Sequence, residues 1–195
     1  MSLALGDDGA MSQPVAGMLL VATPALVDPN FADSVVLLLD VDENGALGVV
    51  INRPSGVPVD AVLDGWSGVV AEPGVLFQGG PVGTEGALAV ALLSDPEDVP
   101  VGFRTVDGPL GLVDLDAPVE LLEGSLAGLR IFAGYAGWGA EQLDGEIEEG
   151  SWYVVPGETW DAFRHDTADL WREVLRRQPG EMAWLATRPA DPELN

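Results

Sequence analysis

The sequence predicts an α+β fold: a single domain with a mixed, mainly antiparallel sheet flanked by helices. Its 195 residues suit one domain, and a hydrophobic fraction of 47% supplies a large core. Short apolar segments separated by turn residues indicate strands, and apolar residues three and four apart near the C-terminus indicate helices. We place the domain at residues 15–188, after a flexible leader at 1–14 and before a tail at 189–195.

The first part of the chain reads as strands joined by turns. A β-suited segment at 17–23 ends at Pro24, whose ring removes a backbone donor. Turn residues at 28–30 precede an apolar run at 34–40, and Asn44-Gly45 is a typical hairpin turn. Because the runs on both sides of that turn are almost continuously apolar, we expect an antiparallel hairpin in the middle of the sheet.

The rest of the chain alternates between β-suited runs and helical spacing. Apolar spacing predicts short helices within 58–70 and 140–147. The glycine-rich run 134–139 is expected to be a loop that leads a strand into the second of these helices. A final helical region is predicted to begin near Glu158. Further strands are predicted at 75–78, 87–93, 103–106, 110–114, 129–133 and 152–155, with an edge strand at 183–186.

The composition excludes several classes of chemistry. The chain has no Cys, which removes disulfides, thiolate nucleophiles and cysteine metal sites. All eight basic residues are Arg, so a phosphate-binding lysine and Schiff-base chemistry are excluded. The formal net charge of -24 should repel nucleic acids and anionic membranes. With no secretory signal and no apolar run of about 20 residues, we expect a cytoplasmic protein.

Few residues suit catalysis or metal binding. His165 is the only histidine, and no serine lies in a Gly-x-Ser-x-Gly elbow, so we assign no catalytic residue. The acidic run 141–149 could bind a hard cation, but it lacks the calcium-loop pattern and is better explained as a solvated face. We therefore assign neither a metal site nor a cofactor.

Three features could bind an anion. Backbone N–H groups of the run 134–139 would be available in a turn at a helix start, although glycines also let a strand and a helix pack closely. Arg53 follows a buried strand and could hold a carboxylate or phosphate through two hydrogen bonds, or form a structural salt bridge. The run 79–81, Gly-Gly-Pro, is open to the same two interpretations as the longer glycine run.

Four motifs occur together and in order: GMLLVATPALVDPNFADSVVLLL, GALGVVINRP, FQGGPV and LRIFAGYAGWGAEQLDGEIEEGSW. They resemble the AlgH/YqgE family of bacterial proteins over residues 17–152, and the final RPADPELN also fits. The resemblance implies a single α+β domain, a cytosolic protein and a regulatory role linked to transcription, and it supplies no catalytic residues. Where family members often carry His, this chain has Asp40-Val41-Asp42, so a mechanism that needs that His would lack it.

We interpret the chain as a non-enzymatic domain that binds a small anionic ligand or an unknown protein partner. Because sites usually lie in loops at strand ends, we expect four short segments to converge at one place. These segments are 28–31, 52–53, 79–81 and 134–139. In this hypothesis Arg53 clamps the anion, and the amides of 134–139 make a second contact. The candidate residues are Asp28, Asn30, Phe31, Asn52, Arg53, Gly79, Gly80, Pro81, Gly134, Tyr135, Gly137, Trp138, Gly139, Gln142 and Glu146.

The remaining roles and the alternatives complete this interpretation. Asn30 and Asn52 would be neutral hydrogen-bonding groups, and Tyr135 and Trp138 apolar walls. One alternative is a carboxylate- or metal-dependent hydrolase of unknown substrate that uses Asp28, Glu141 or Glu146. Another is a direct DNA regulator, which the net charge of -24 disfavours. The arginines of the last helical region suit the helix dipole and ion pairs instead.

Overall fold

The computed structural model describes residues 13–187. Within them the strands are β1 (Leu19–Ala22), β2 (Val35–Asp42), β3 (Gly45–Val50), β4 (Pro54–Pro58), β5 (Val75–Gln78), β6 (Val82–Leu93), β7 (Phe103–Asp107), β8 (Leu110–Val113), β9 (Leu126–Gly139) and β10 (Trp152–Val155). The α-helices are α1 (Gln142–Glu148), α2 (Leu170–Arg176) and α3 (Glu181–Leu185). Three single 3-10 turns lie at Val59–Ala61, Val119–Leu121 and Asp161–Phe163. The predicted leader and tail fall almost wholly outside the described residues.

The strands form one curled, mainly antiparallel sheet. Its order is β10-β1-β2-β3-β9-β6-β8-β7, with β4 and β5 beside this path and β5 parallel to β9. The curl brings the two ends of the sheet close together. A Cβ atom added to Gly17, just before β1, would lie 2.7 Å from the Cβ of Asp107 at the end of β7. The sheet is therefore a half-barrel in which the end of β7 approaches the start of β1.

The predicted central hairpin is confirmed. β2 and β3 pair antiparallel around the Asn44-Gly45 turn, and both are interior strands. The Asp42 carboxylate accepts hydrogen bonds from the backbone N–H groups of Asn44 at 2.7 Å and Gly45 at 3.2 Å. This local bonding explains why the turn residues, together with the apolar runs on both sides, were sufficient to locate the hairpin.

Alternating side chains of the strands fill two faces of the sheet. In β1, Leu19 and Val21 enter the main core, which also includes α2 and Phe132. Leu20 and Ala22 enter a second cluster on the opposite face, covered by α1. A third cluster lies on that same opposite face farther along the sheet, under the loops at 59–70 and 119–126. Helices thus cover only part of each face, and the fold is more β-rich than the predicted sheet flanked by helices.

Four predicted elements are wrong, one of which, the start of the final helical region, is described with the site below. Segment 58–70 contains one 3-10 turn in place of the predicted helix. Its apolar residues Val59 and Trp66 are nevertheless buried in the third cluster, so the apolar spacing reflects burial of an irregular segment. The run 134–139 is the end of strand β9. Residues 183–186 belong largely to helix α3, and this segment is too short for its sequence to show a helical period.

Candidate functional site

Arg53 anchors the loop at 28–33. Its Nη1 donates to the carbonyl oxygens of Pro29 (3.2 Å) and Asn30 (2.5 Å), and its Nη2 donates to that of Ala32 (2.8 Å). Asn52 extends this anchor, since its Nδ2 donates to the Asp33 carbonyl at 2.9 Å. Arg53 therefore anchors the loop through hydrogen bonds to main-chain carbonyl groups. The structural salt bridge with an acidic side chain, which the sequence suggested as one possibility, is not among these bonds. Its role as an anion clamp stays a prediction.

The loop ends in an aromatic cluster organised by Glu146. Phe31 lies 5.5 Å from Trp152 and 6.1 Å from Trp138, between ring centroids. One oxygen of Glu146, Oε2, accepts the indole N–H groups of Trp138 at 2.9 Å and Trp152 at 2.8 Å. The other oxygen accepts the Gln142 amide at 2.9 Å, an i,i+4 pair on α1. Because Trp138 and Trp152 are buried, this cluster is a structural support for the loop.

The glycine segments allow main chains to approach closely. A Cβ on Gly79 would lie 2.3 Å from the carbonyl oxygen of Gly134, and one on Gly80 would lie 2.3 Å from that of Tyr135. Gly134 itself has a left-handed φ of 69°, which favours glycine. Residues 136–139 pair with β3 as an antiparallel ladder. The predicted loop before α1 is therefore wrong, while the anion contact assigned to its amides stays a prediction.

The structure brings most of the predicted segments together, but not as one pocket. The backbone N–H of Gln78 donates to the Arg53 carbonyl at 2.8 Å, and that of Gly79 donates to Ala133 at 2.9 Å. The segments 52–53, 79–80 and 133–134 are therefore neighbours. The two predicted apolar walls lie on opposite faces of the sheet, because Tyr135 packs against the main core and Trp138 against the second cluster.

The residues proposed for a hydrolase are mostly occupied by structural contacts. Asp28 Oδ1 accepts the backbone N–H of Asn30 at 2.7 Å, and Glu146 holds two indoles. Glu141 and His165 are exposed. In the part of the chain from 13 to 187, no group of three or more His, Asp or Glu residues is placed to hold a metal ion. No helix in the same part is long and apolar enough to cross a membrane.

Arg130 on β9 is a buried charge that the sequence analysis did not single out. Its side chain is 1% exposed and lies 4.1 Å over the ring of Phe77. Nη1 donates to the carbonyl of Arg164 at 2.9 Å and Nη2 to that of Glu72 at 2.7 Å, and no described group partners Nε. Burial lowers the pKa of Arg130 to about 10. Arg130 thereby fastens two distant segments to the sheet.

A groove lies where the two ends of the curled sheet meet, away from the predicted site. Its narrow end has a cavity volume of about 80 Å³ and is floored by apolar side chains of β1 and β2. Its open end, about 570 Å³, continues along β6 to Trp160. The two ends share Pro109 and residues 157–159 as walls, so they are adjacent. We call the two together the edge groove.

One wall of the edge groove, the segment 157–162, is fixed by a buried ion pair. Asp161 is 2% exposed and accepts two hydrogen bonds from Arg177, at 3.0 and 2.6 Å. Its Oδ2 also accepts the backbone N–H of Glu158 at 2.8 Å, and Arg177 contacts the Glu158 carboxylate at 2.8 Å. Burial opposes the charge of Arg177, but its contacts with Asp161 and Glu158 outweigh this and raise its pKa. The segment is therefore a rigid support.

Trp160 is the exposed residue of that support. Its side chain is 54% exposed, while the ring edge packs on the buried Phe163 at 6.2 Å between centroids. The sequence predicts a helical region that begins near Glu158, but only a 3-10 turn forms there, and α2 begins at Leu170. No sequence pattern indicated the groove, because its walls come from parts of the chain as far apart as Gly17 and Asp161. The local sequence indicated only a turn, because Pro156-Gly157, which precedes Trp160, is a pair of turn-forming residues.

Comparisons with known proteins agree with this architecture. The family model described as AlgH-like matches residues 19–183. A UPF0301 protein of Streptomyces avermitilis is 56% identical over 184 residues, covering 93% of this chain and 95% of the relative. A UPF0301 protein of Mycobacterium tuberculosis is 46% identical over 179 residues, covering 90% and 88%.

Two solved structures share the fold. The crystal structure of protein DIP2367 from Corynebacterium diphtheriae matches with a TM-score of 0.87 and 32% identity, over 92% of this chain and 95% of that one. The solution structure of the AlgH protein from Pseudomonas aeruginosa matches with a TM-score of 0.67 and 25% identity, over 94% and 100%. Family model, relatives and structures agree, and the chain belongs to the AlgH-like family of UPF0301 proteins.

Proposed function

We propose that this protein is a non-enzymatic binding domain that recognises a segment of another protein in the edge groove, and that its regulatory role is exerted through that partner. The observation that carries the proposal is Trp160, 54% exposed on a support fixed by the Asp161–Arg177 ion pair. Tryptophan is enriched among the residues that dominate interface energetics. A large aromatic side chain held in place loses little conformational freedom when a partner binds.

The shape of the groove also favours an extended segment. The narrow end has an apolar floor that includes Leu19, Leu37 and Ala162, and the open end continues past Leu92 to Trp160. A partner side chain can enter the narrow end while its main chain lies along the open end. Binding through a preformed groove needs little rearrangement of this protein.

The predicted site around Arg53 supports the proposal less well. Three main-chain carbonyls already accept hydrogen bonds from its guanidinium, and the tryptophans beside it are buried. A direct DNA role is likewise less well supported, because the net charge of -24 opposes a phosphate backbone.

Peptide selection tests the proposal. The full chain is used to select binders from a random library of displayed 12-residue peptides, and each selected peptide is measured by fluorescence anisotropy. We expect Trp160→Ala to weaken binding about 30-fold, as for a residue that contributes about 2 kcal/mol.

Trp184→Ala is the matched control, because Trp184 is 78% exposed and lies outside the groove walls. It should leave the affinity unchanged. Selected peptides that bind Trp160→Ala as tightly as the original chain, or a selection that yields no binder, would contradict the proposed function.

A further inference from the structure

The walls of the edge groove carry negative charge only. Three carboxylates are among them, those of Asp107, Glu158 and Asp161, and no Arg or His contributes to either end. Arg177, behind the wall, neutralises Asp161 and pairs with Glu158. Within residues 13–187, Asp107 makes no ion pair. One uncompensated carboxylate therefore lies beside the narrow end.

The surroundings strengthen this negative potential. The exposed loop that supplies Pro96 to the open end also carries Asp95, Glu97 and Asp98. The net charge of the whole chain is -24, so its overall field is also negative. A concave surface lined by one sign of charge concentrates ligands of the opposite sign. The groove should attract cationic groups and repel acidic ones.

Position as well as charge favours a cation. Asp107 lies against Gly17 and borders the apolar floor of the narrow end. A partner could therefore place a cationic side chain on the Asp107 carboxylate and a neighbouring apolar side chain on the floor. At the other end, the exposed indole of Trp160 presents an aromatic ring, and a guanidinium stacks well on such a ring. These two points are joined by the apolar open end.

From this arrangement we infer that the edge groove binds a cationic segment of a partner protein, in which Arg or Lys residues flank an apolar side chain. The inference rests on the proposed function and adds the chemistry of the partner. The apolar side chain fills the narrow end, one cationic group pairs with Asp107, and a second lies on Trp160.

Three synthetic 10-residue peptides of equal length and apolar content test the inference by fluorescence anisotropy with the full chain. Their polar residues are all Arg, all Gln or all Glu. We expect the Arg peptide to bind at least tenfold more tightly than the Gln peptide, and the Glu peptide not to bind. The affinity for the Arg peptide should fall as salt rises from 50 to 500 mM, because exposed charges are screened.

Two variants with the same change in net charge separate a specific contact from general attraction. Asp107→Asn should weaken binding of the Arg peptide about fivefold, the effect of about 1 kcal/mol. Asp60→Asn, at an exposed acid outside the groove walls, should have no effect. Equal weakening by both variants, or complete displacement of the peptide by equimolar spermine, would overturn the inference.

The outcomes also separate this inference from the proposed function. If the Gln or Glu peptide binds better than the Arg peptide and Trp160→Ala abolishes that binding, the groove is a partner site of different chemistry. In that case the cationic segment is wrong and the proposed function stands. If no peptide binding depends on Trp160, both are wrong.

Discussion

Replacing Asp161 with Asn should loosen the wall of the edge groove and destabilise the fold. The side chain is 3% exposed, and it accepts hydrogen bonds from Arg177 and from the backbone of Glu158. Removing one partner of a buried ion pair costs about 3–5 kcal/mol. Arg177 keeps its contact with Glu158 and is 25% exposed, so we expect a loss of about 2–3 kcal/mol in the free energy of unfolding.

Urea unfolding followed by circular dichroism measures this loss. Hydrogen exchange at the Glu158 amide should also speed up, because the neutral Asn oxygen is a weaker acceptor than the carboxylate that now accepts this N–H at 2.8 Å. Asp169→Asn is the control, since its contact with Arg172 is 3.9 Å long and Asp169 is 73% exposed. The control should cost less than about 0.5 kcal/mol. A similarly small loss in Asp161→Asn would refute the view that this ion pair supports the groove.

Three further predictions concern other parts of the fold. Arg130→Lys should cost about 2–4 kcal/mol in urea unfolding, because an ammonium group cannot reach both carbonyls and stack on a ring, and an unchanged midpoint would contradict this. Asn44→Ala should raise the pKa of Asp42 toward its ordinary value, because the Asn44 side-chain hydrogen bond is the largest cause of its lowering; carboxyl NMR titration measures the shift. Because the pKa of Asp42 is lowered from its ordinary value of 3.8, its carboxylate stabilises the fold above pH 3.8, and this stabilisation is lost as the pH falls through the lowered pKa. The stability of the variant should therefore fall less over this acidic range. Ser34→Ala should stabilise the fold by about 1 kcal/mol, because the buried Ser34 hydroxyl has no partner among the described residues, and a loss of stability would show that it is satisfied.

Local patterns predicted the strands well. The β2–β3 hairpin follows from its turn residues and apolar flanks, and the predicted strand at 152–155 has the bounds of β10. The glycine run at 134–139 shows the limit of such patterns. Its glycines are needed because Gly79 and Gly80, about fifty residues earlier, pass within contact distance of its backbone. Nothing within the run itself distinguishes that requirement from a loop before a helix.

The candidate site was harder to predict for the same reason. An arginine in an acid-rich chain suggested a carboxylate or anion partner, but Arg53 contacts carbonyl oxygens of residues 21 to 24 positions earlier. The edge groove has no sequence motif, because it exists only where the curl of the sheet brings Gly17 against Asp107. Charge could be predicted from composition, but its placement in a concave surface could not.

Backbone NMR of the full ¹⁵N-labelled chain, titrated with the Arg peptide, shows where the peptide binds. We expect the largest amide shift changes at 92–96, 107–110 and 157–162, in the walls of the edge groove. Shift changes centred instead on 28–33 and 52–53 would place binding at the Arg53 loop and show that the edge groove is not the binding site.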